Sequence, residues 1–299
     1  MKEKIEEFIC KRPKVVAAYG YGSGVFKQSG YTSKDKPQID LILIVDDLKK
    51  WHYENMRLNK NDYSFIGRIF FKKASINKLK GKTGITYVSN ILENGNIYKY
   101  GTIEKGDLLK YLKTWESFYL PGRFQKTIYP IVEDDELKNE IEKNRENALL
   151  LSTFLQESDT STKKDILVTL CGLSYLGDTR MKFAENPRKV LNIVEGSFNE
   201  FEKIYKFDKE YLKNNKNDSI IINRDAVKKR IYTLPSSLIN YIVSDLDKDE
   251  DVIKNKILEY FEKINKSESS SQTIKGIYTN GICRSINYAS KKVLKKLKK

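Results

Sequence analysis

Tyr19-Gly20-Tyr21-Gly22-Ser23-Gly24-Val25-Phe26, followed after a polar loop by Ile39-Asp40-Leu41-Ile42-Leu43-Ile44-Val45 and Asp46-Asp47, decides how the first third of this chain is read. Val15 to Tyr19 reads as an apolar strand running into a Gly-Ser turn, and the second apolar run opens with an acid. Glycine has no Cβ, so backbone N–H groups at Gly22 and Gly24 can lie against an anion, and the Ser23 hydroxyl can add a hydrogen bond. A triphosphate brings about four negative charges, which closely approaching N–H dipoles and a cation held on the acid can meet together. A Gly-rich turn between strands is often only a turn; the acid heading the next strand gives it chemical weight.

Composition narrows the class. The 299 residues leave room for two domains, and 39% are apolar, enough for real cores. Fifty-five basic against 40 acidic residues give a formal charge of +15, and the pI is near 9.4. That balance calls for a polyanionic partner: nucleic acid, nucleotide or an acidic membrane surface. Cys10, Cys171 and Cys283 are odd in number, far apart and in no ligand spacing, so neither a disulfide nor a zinc site is expected, and a reducing compartment fits. No run approaches the roughly 18 to 20 apolar residues that span a bilayer. Met1 to Ile9 reads as an acidic-basic helix without the Arg- and Ser-rich, acid-poor character of a mitochondrial presequence. The wealth of Lys, Ile and Asn suggests an AT-rich genome and a bacterial source.

The first third alternates short strands (Val15 to Tyr19, Ile39 to Val45, Ile69 to Phe71, Ile85 to Ser89, Ile97 to Thr102) with turns, among them the hairpin turn Glu93-Asn94-Gly95-Asn96. Helical patterns at Leu48 to Met56 and Leu108 to Tyr119 make this an α/β domain with a mixed sheet, placed at 1–124. Helices then dominate over 125–265: Asp134 to Phe154, Lys163 to Gly172, Pro187 to Tyr205, Ser236 to Ser244 and Asp251 to Ile264. Asn265 to Gln272 reads as a polar linker, placing a tail at 266–299. From Lys275 on, the tail carries eight basic residues and no acid. On a helix, Ile282, Ile286, Ala289, Val293 and Leu297 share one face, and Lys291, Lys292, Lys295, Lys296 and their neighbours take the other. That pattern suits an interfacial helix on anionic lipid, a frayed basic terminus or a nucleic-acid arm.

Single residues carry less. His52 beside Trp51 reads as a packing or surface imidazole. Arg123 and Lys126 lie in a Pro-Gly loop, where they serve phosphate or only solvent. In Gly177-Asp178-Thr179-Arg180 an internal ion pair and a substrate contact are comparable readings.

Taken together, the blocks resemble the mitochondrial-type phosphatidate cytidylyltransferases, also called the mitochondrial translocator assembly and maintenance protein family. The likeness runs through Tyr21 to Gln28, Ile39 to Ile42 with Val45-Asp46-Asp47, and Trp51-His52 with Asn55, Asn59 and Tyr63-Ser64. It continues through Lys99 to Ile103, Trp115, Tyr119, Gly122 to Lys126, Gly172 to Tyr175, Gly177-Asp178 and Arg180-Met181. Lys189 to Val194, Thr233-Leu234-Pro235, and Gln272 with Lys275-Gly276-Ile277 extend it over almost the whole chain.

The resemblance implies an α/β nucleotidyltransferase-fold domain, a mostly helical winged-helix-like domain and a basic C-terminal segment that docks on an anionic membrane surface. Its implied reaction joins CTP and phosphatidic acid into CDP-diacylglycerol and pyrophosphate with Mg²⁺, and no nucleic-acid partner is expected. On this reading Gly22, Ser23 and Gly24 take the β- and γ-phosphates, and Asp40 holds the metal. Arg123 and Lys126 neutralise substrate phosphates, while Asp178, Arg180 and Lys275 close the site. One departure stands out: an Asp-x-Asp pair would put its second acid at Ile42. Asp46 and Asp47 lie roughly 20 Å along an extended strand from Asp40, so they are expected to organise the strand exit or touch nucleotide from another side. Because no presequence is visible, the cytoplasmic face of a bacterial inner membrane is the expected location, with the matrix face of the mitochondrial inner membrane as the alternative. A nucleotidyltransferase acting on RNA or a small alcohol, and a non-catalytic membrane-associated scaffold, are the competing functions.

Overall fold

Side-chain alternation along Ile39–Val45 (β2) sorts the N-terminal half into two layers. Leu41, Leu43 and Val45 enter one core, and Ile42 and Ile44 the other. The computed structural model describes residues 2–26, 37–72, 79–183, 186–215 and 218–280. With Ala17–Tyr21 (β1), Thr86–Glu93 (β3), Asn96–Glu104 (β4) and Tyr129–Val132 (β5), β2 forms a five-stranded sheet ordered β3-β4-β2-β1-β5. Only β2 and β4 run parallel, so the sheet is mixed, as the sequence predicts.

Lys2–Cys10 (α1), Leu48–Leu58 (α2) and Phe65–Lys72 (α3) contribute to the core on one face of the sheet, through Ile5, Phe8, Trp51, Met56 and Phe71. Lys105–Thr114 (α4), the single turn Pro121–Phe124 (α5) and Asp135–Phe154 (α6) contribute to the other, through Leu108, Phe124, Leu137 and Ile141. Asp47 caps α2, accepting from the Lys50 amide at 2.8 Å. It therefore organises the strand exit. Two expectations change here. Ile69 to Phe71 lies in helix α3, not in a strand, because a short apolar run fits either period. The helix expected to reach Tyr119 ends at Thr114, where Trp115 takes a left-handed cap at φ 57°.

Beyond α6 the chain continues as Thr160–Thr162 (β6), Lys163–Leu173 (α7), Thr179–Phe183 (α8), Lys189–Gly196 (α9) and Phe198–Ile204 (α10). Then come Leu212–Asn214 (β7), Ser219–Ile222 (β8), Arg224–Arg230 (α11), Ser236–Ile242 (α12) and Glu250–Asn280 (α13). Strands β6-β8-β7 make a small antiparallel sheet, and this mostly helical half closes over a third core. The polar stretch Asn265 to Gln272 is not a linker: it lies within the 31-residue α13. Its polar side chains are spent on tertiary contacts. Asn265 donates to the carbonyls of Leu173 at 2.8 Å and Leu176 at 2.9 Å, and Gln272 donates to Thr83. One helix thus joins the helical half to the sheet half. Ile282, Ile286, Val293, Leu297 and the lysines at 291, 292, 295 and 296 lie outside the described residues, as does Cys283.

Candidate active site

Pairing register builds the site's floor. On β2, Asp40 sits opposite Tyr21 of β1 and Lys99 of β4, and side-chain parity puts all three on the face of Ile42. Lys99 Nζ lies 3.9 Å from Asp40 Oδ1 and 4.4 Å from the Tyr87 ring centroid. Gln38 Nε2 donates to the same carboxylate oxygen at 3.1 Å.

The glycine turn folds back onto this acid. Gly22 has φ 75°, and its carbonyl accepts from the amides of Val25 at 3.1 Å and Phe26 at 2.9 Å. A Cβ on Gly22 would lie 3.3 Å from Asp40 Oδ2, and one on Gly24 only 2.1 Å from the Gln38 carbonyl oxygen. The turn and the acid singled out from sequence are therefore in contact, with Ser23 half-buried between the two glycines. Ile42 is fully buried in the apolar layer and replaces any second acid on this strand. Among the described residues no group of three or more His, Cys, Asp or Glu side chains is arranged to hold a metal. Asp46 is exposed. His52 is fully buried, with ring nitrogens 2.9 Å from both the Tyr63 hydroxyl and Thr86 Oγ1. Burial pushes its pKa down to about 3, so His52 packs as a neutral ring.

The opposite wall is Arg123 on α5. Its guanidinium carbon lies 4.3 Å from the Tyr21 ring centroid and 5.3 Å from that of Tyr119. Arg123 Nε is buried and has no hydrogen-bond partner among the described residues. A buried polar framework fixes this turn: Trp115 Nε1 and Gln125 Nε2 both donate to Asn144 Oδ1, at 2.8 and 3.0 Å. Asn144 Nδ2 donates to the Pro121 carbonyl at 3.1 Å, and the Tyr205 hydroxyl to that of Gln125 at 2.6 Å.

Further cations converge. Lys126 Nζ donates to the Gly122 carbonyl at 2.7 Å and to Ser174 Oγ at 2.5 Å, and stands 5.0 Å from the Tyr175 ring centroid. Burial is the main cause that brings its pKa down to about 8; nearby Arg123 and Lys189 add to it, against the opposing effect of Cys171. Asp178, 3% exposed, is occupied by Arg180, which donates through Nε at 3.0 and 3.1 Å and through Nη2 at 2.6 Å. The two residues form an internal ion pair, which holds the guanidinium in place. Burial pushes the Tyr119 phenol up, yet Arg123, Arg180 and Lys99 outweigh burial and bring it below its ordinary value. Tyr119 thus feels all three of these cations. Lys275, on α13, donates to the Lys80 carbonyl at 2.8 Å and feels the Tyr119 phenol and Glu268.

Two elements of the site lay outside the sequence reading. Lys99 carried no assigned role, although aligning β4 in parallel with β2 would have set it beside Asp40. Glu268 had no signal at all. It is 2% exposed, with Oε1 accepting from the Phe118 amide at 3.2 Å and Oε2 buried without a partner among the described residues. Burial raises its pKa from 4.5 to about 7, against the opposing effects of Ser117, the Phe118 and Tyr119 amides and Lys275. A carboxyl whose native pKa exceeds its unfolded value holds its proton more tightly when folded. Its contribution to stability is fully present below the unfolded pKa and is lost as pH rises through about 7. Urea titrations from pH 4.5 to 8 should show wild type losing about 3 kcal/mol relative to Glu268→Gln. Parallel profiles for the two proteins would remove Glu268 as the cause.

The sequence model of the family described as "Phosphatidate cytidylyltransferase, mitochondrial" matches residues 5–295. A protein of that name from Schizosaccharomyces pombe is 33% identical over 99% of this chain and 85% of its own length. One from Dictyostelium discoideum is 31% identical over 100% of this chain and 85% of its own. A nucleotidyltransferase-like protein of known structure from Exiguobacterium sibiricum aligns over 93% of this chain and 76% of its own length at 11% identity, with a TM-score of 0.26. With the family pattern matched from residue 5 to residue 295, the chain is a member of the mitochondrial phosphatidate cytidylyltransferase family.

Proposed function

We propose that this chain transfers CMP from CTP to phosphatidic acid, releasing pyrophosphate and forming CDP-diacylglycerol. The observation that carries this reading is the pairing of one acid, Asp40, with a converging set of cations: Lys99 and Arg123, the latter with a buried Nε that has no hydrogen-bond partner among the described residues. Such a pocket suits a polyanion of several phosphates. In the step itself a phosphatidate oxygen forms a bond to the α-phosphorus of CTP, and the bond from that phosphorus to the oxygen bridging the β-phosphate breaks. The phosphomonoester has a second pKa of about 6, so its nucleophilic oxygen is already ionised at neutral pH. No general base is needed, and the neutral, buried His52 supplies none. The protein's task is alignment and charge neutralisation.

Gly22, Ser23 and Gly24 bind the β- and γ-phosphates in this scheme. Asp40 is the residue that would hold Mg²⁺. A single half-buried carboxylate facing the turn fits a magnesium ion that takes its other ligands from phosphates and water. When bound, that ion supplies further neutralisation of the triphosphate. Arg123, Lys126 and Arg180 draw the two substrates together against their mutual repulsion, Asp178 orients Arg180, and Lys275 adds charge from α13. The order α6, β6, α7, α9, then the β7–β8 hairpin supports a winged-helix-like reading of the second half. The divisions expected at 1–124, 125–265 and 266–299 shift: β5 and the start of α6 belong to the sheet half, so its boundary lies beyond residue 124, and α13 runs across 265/266. No helix among the described residues is long and apolar enough to cross a membrane. The relatives are named mitochondrial, which favours the matrix face of the inner membrane over the bacterial location.

Pyrophosphate release should require CTP and phosphatidic acid together. Release with CTP alone, or with RNA in place of the lipid, would contradict the reading. Lys126 sets a pH limit: as pH rises through about 8 its ammonium loses its proton, and CTP affinity should weaken roughly tenfold. Calorimetric titration of Lys126→Met should give weaker binding with no such step, and a step kept in that variant would assign it elsewhere.

A further inference from the structure

We infer that the outer face of α3, together with the adjoining part of α13, is a lipid-contacting surface that lays the protein on an anionic bilayer. This rests on the lipid-substrate reading above. Phe65 is 76% exposed and Ile69 46% exposed. They stand four residues apart, one above the other on a single helical face. An exposed Phe–Ile pair on an amphipathic helix has no role in the fold's cores, whereas Phe71 on the same helix is 2% exposed and does.

The occupant follows from the surroundings. Helix α3 packs along α13, and α13 itself exposes Ile274 to 56%. The α3 sequence Phe65-Ile66-Gly67-Arg68-Ile69-Phe70-Phe71-Lys72 has two basic residues and no acid. The 19 residues after Asn280 add seven basic residues and again no acid. An exposed apolar pair on a helix whose charged residues are all basic, in a chain of net charge +15, fits a membrane carrying phosphatidic acid and other anionic headgroups better than a protein groove. The α13 segment bearing Glu268 and Lys275 reaches the candidate site, so the same helix would bring a surface-bound site close to its lipid substrate.

The test uses the full chain with phosphatidylcholine vesicles containing or lacking phosphatidic acid. Phe65→Ser/Ile69→Ser should lower partition onto the anionic vesicles by about tenfold or more. It should leave CTP binding and transfer to a short-chain, micellar phosphatidate unchanged. Phe65→Trp should keep partition, and its emission should shift to the blue on vesicle addition, since Trp51 and Trp115 are already buried. Unchanged partition of the double variant, no shift for Phe65→Trp, or a change in self-association in place of vesicle binding would each overturn the surface. The catalytic reading fails by a different result: wild type making no product from either form of the lipid.

Discussion

Asp40→Asn should lower CMP transfer by about a thousandfold or more, with little change in thermal stability. Asp40 is half-buried and its partners are modest: Gln38 at 3.1 Å and Lys99 at 3.9 Å. Partly exposed pairs of this kind contribute about 0 to 1 kcal/mol, so the fold tolerates an isosteric amide. The chemistry does not, because Asp40 is the carboxylate that contacts the glycine turn, and Ile42 offers no substitute two residues on. Initial rates with saturating CTP and phosphatidate, beside a melting curve, check both halves. Near-wild-type turnover in the variant would remove Asp40 from the metal site.

Arg123→Met carries the second large effect, and its two readouts should move in opposite directions. Loss of a guanidinium facing phosphates should reduce kcat/KM by about a hundredfold to a thousandfold. Without substrate, however, Arg123 is a half-buried cation whose buried Nε has no hydrogen-bond partner among the described residues, and it helps depress Lys126. Replacing it with an apolar chain that still covers Tyr21 should leave stability unchanged or raise it by about 1 to 2 kcal/mol. Arg123→Lys should recover only part of the activity, since an ammonium lacks the planar fork. A variant that loses activity and stability together would mean that Arg123 serves the fold.

What the sequence disclosed, it disclosed where the determinant is local. The glycine turn, the acid at the head of β2, the Asn94-Gly95 hairpin and the start of α6 at Asp134 each depend on neighbours within a few residues. Asp47 as an organiser of the strand exit was legible for the same reason. Helix α3 was misread because eight residues cannot fix a period once Phe71 turns inward while Phe65 turns outward. The long α13 was hidden because Asn265, Glu268 and Ser269 look solvated in sequence, yet they are buried against the Phe118 and Leu173 turns. The cluster around Tyr119 draws on β4, the segment after α4, α5 and α8, so no window of sequence contains it. Ile42 kept its meaning throughout: it removes the usual second acid, and no described cluster supplies one.

In the proposed reaction Asp40 and its surrounding cations move the α-phosphate of CTP onto phosphatidic acid. The most direct measurement compares CTP labelled at the α-phosphate with CTP labelled at the γ-phosphate, each incubated with the protein, Mg²⁺ and phosphatidic acid, then extracted into organic solvent. The α-label should enter the lipid phase with wild type and remain aqueous with Asp40→Asn, while the γ-label should stay aqueous in both, as pyrophosphate with wild type and as unreacted CTP with the variant. An aqueous α-label with wild type, or a γ-label in the lipid, would contradict the account.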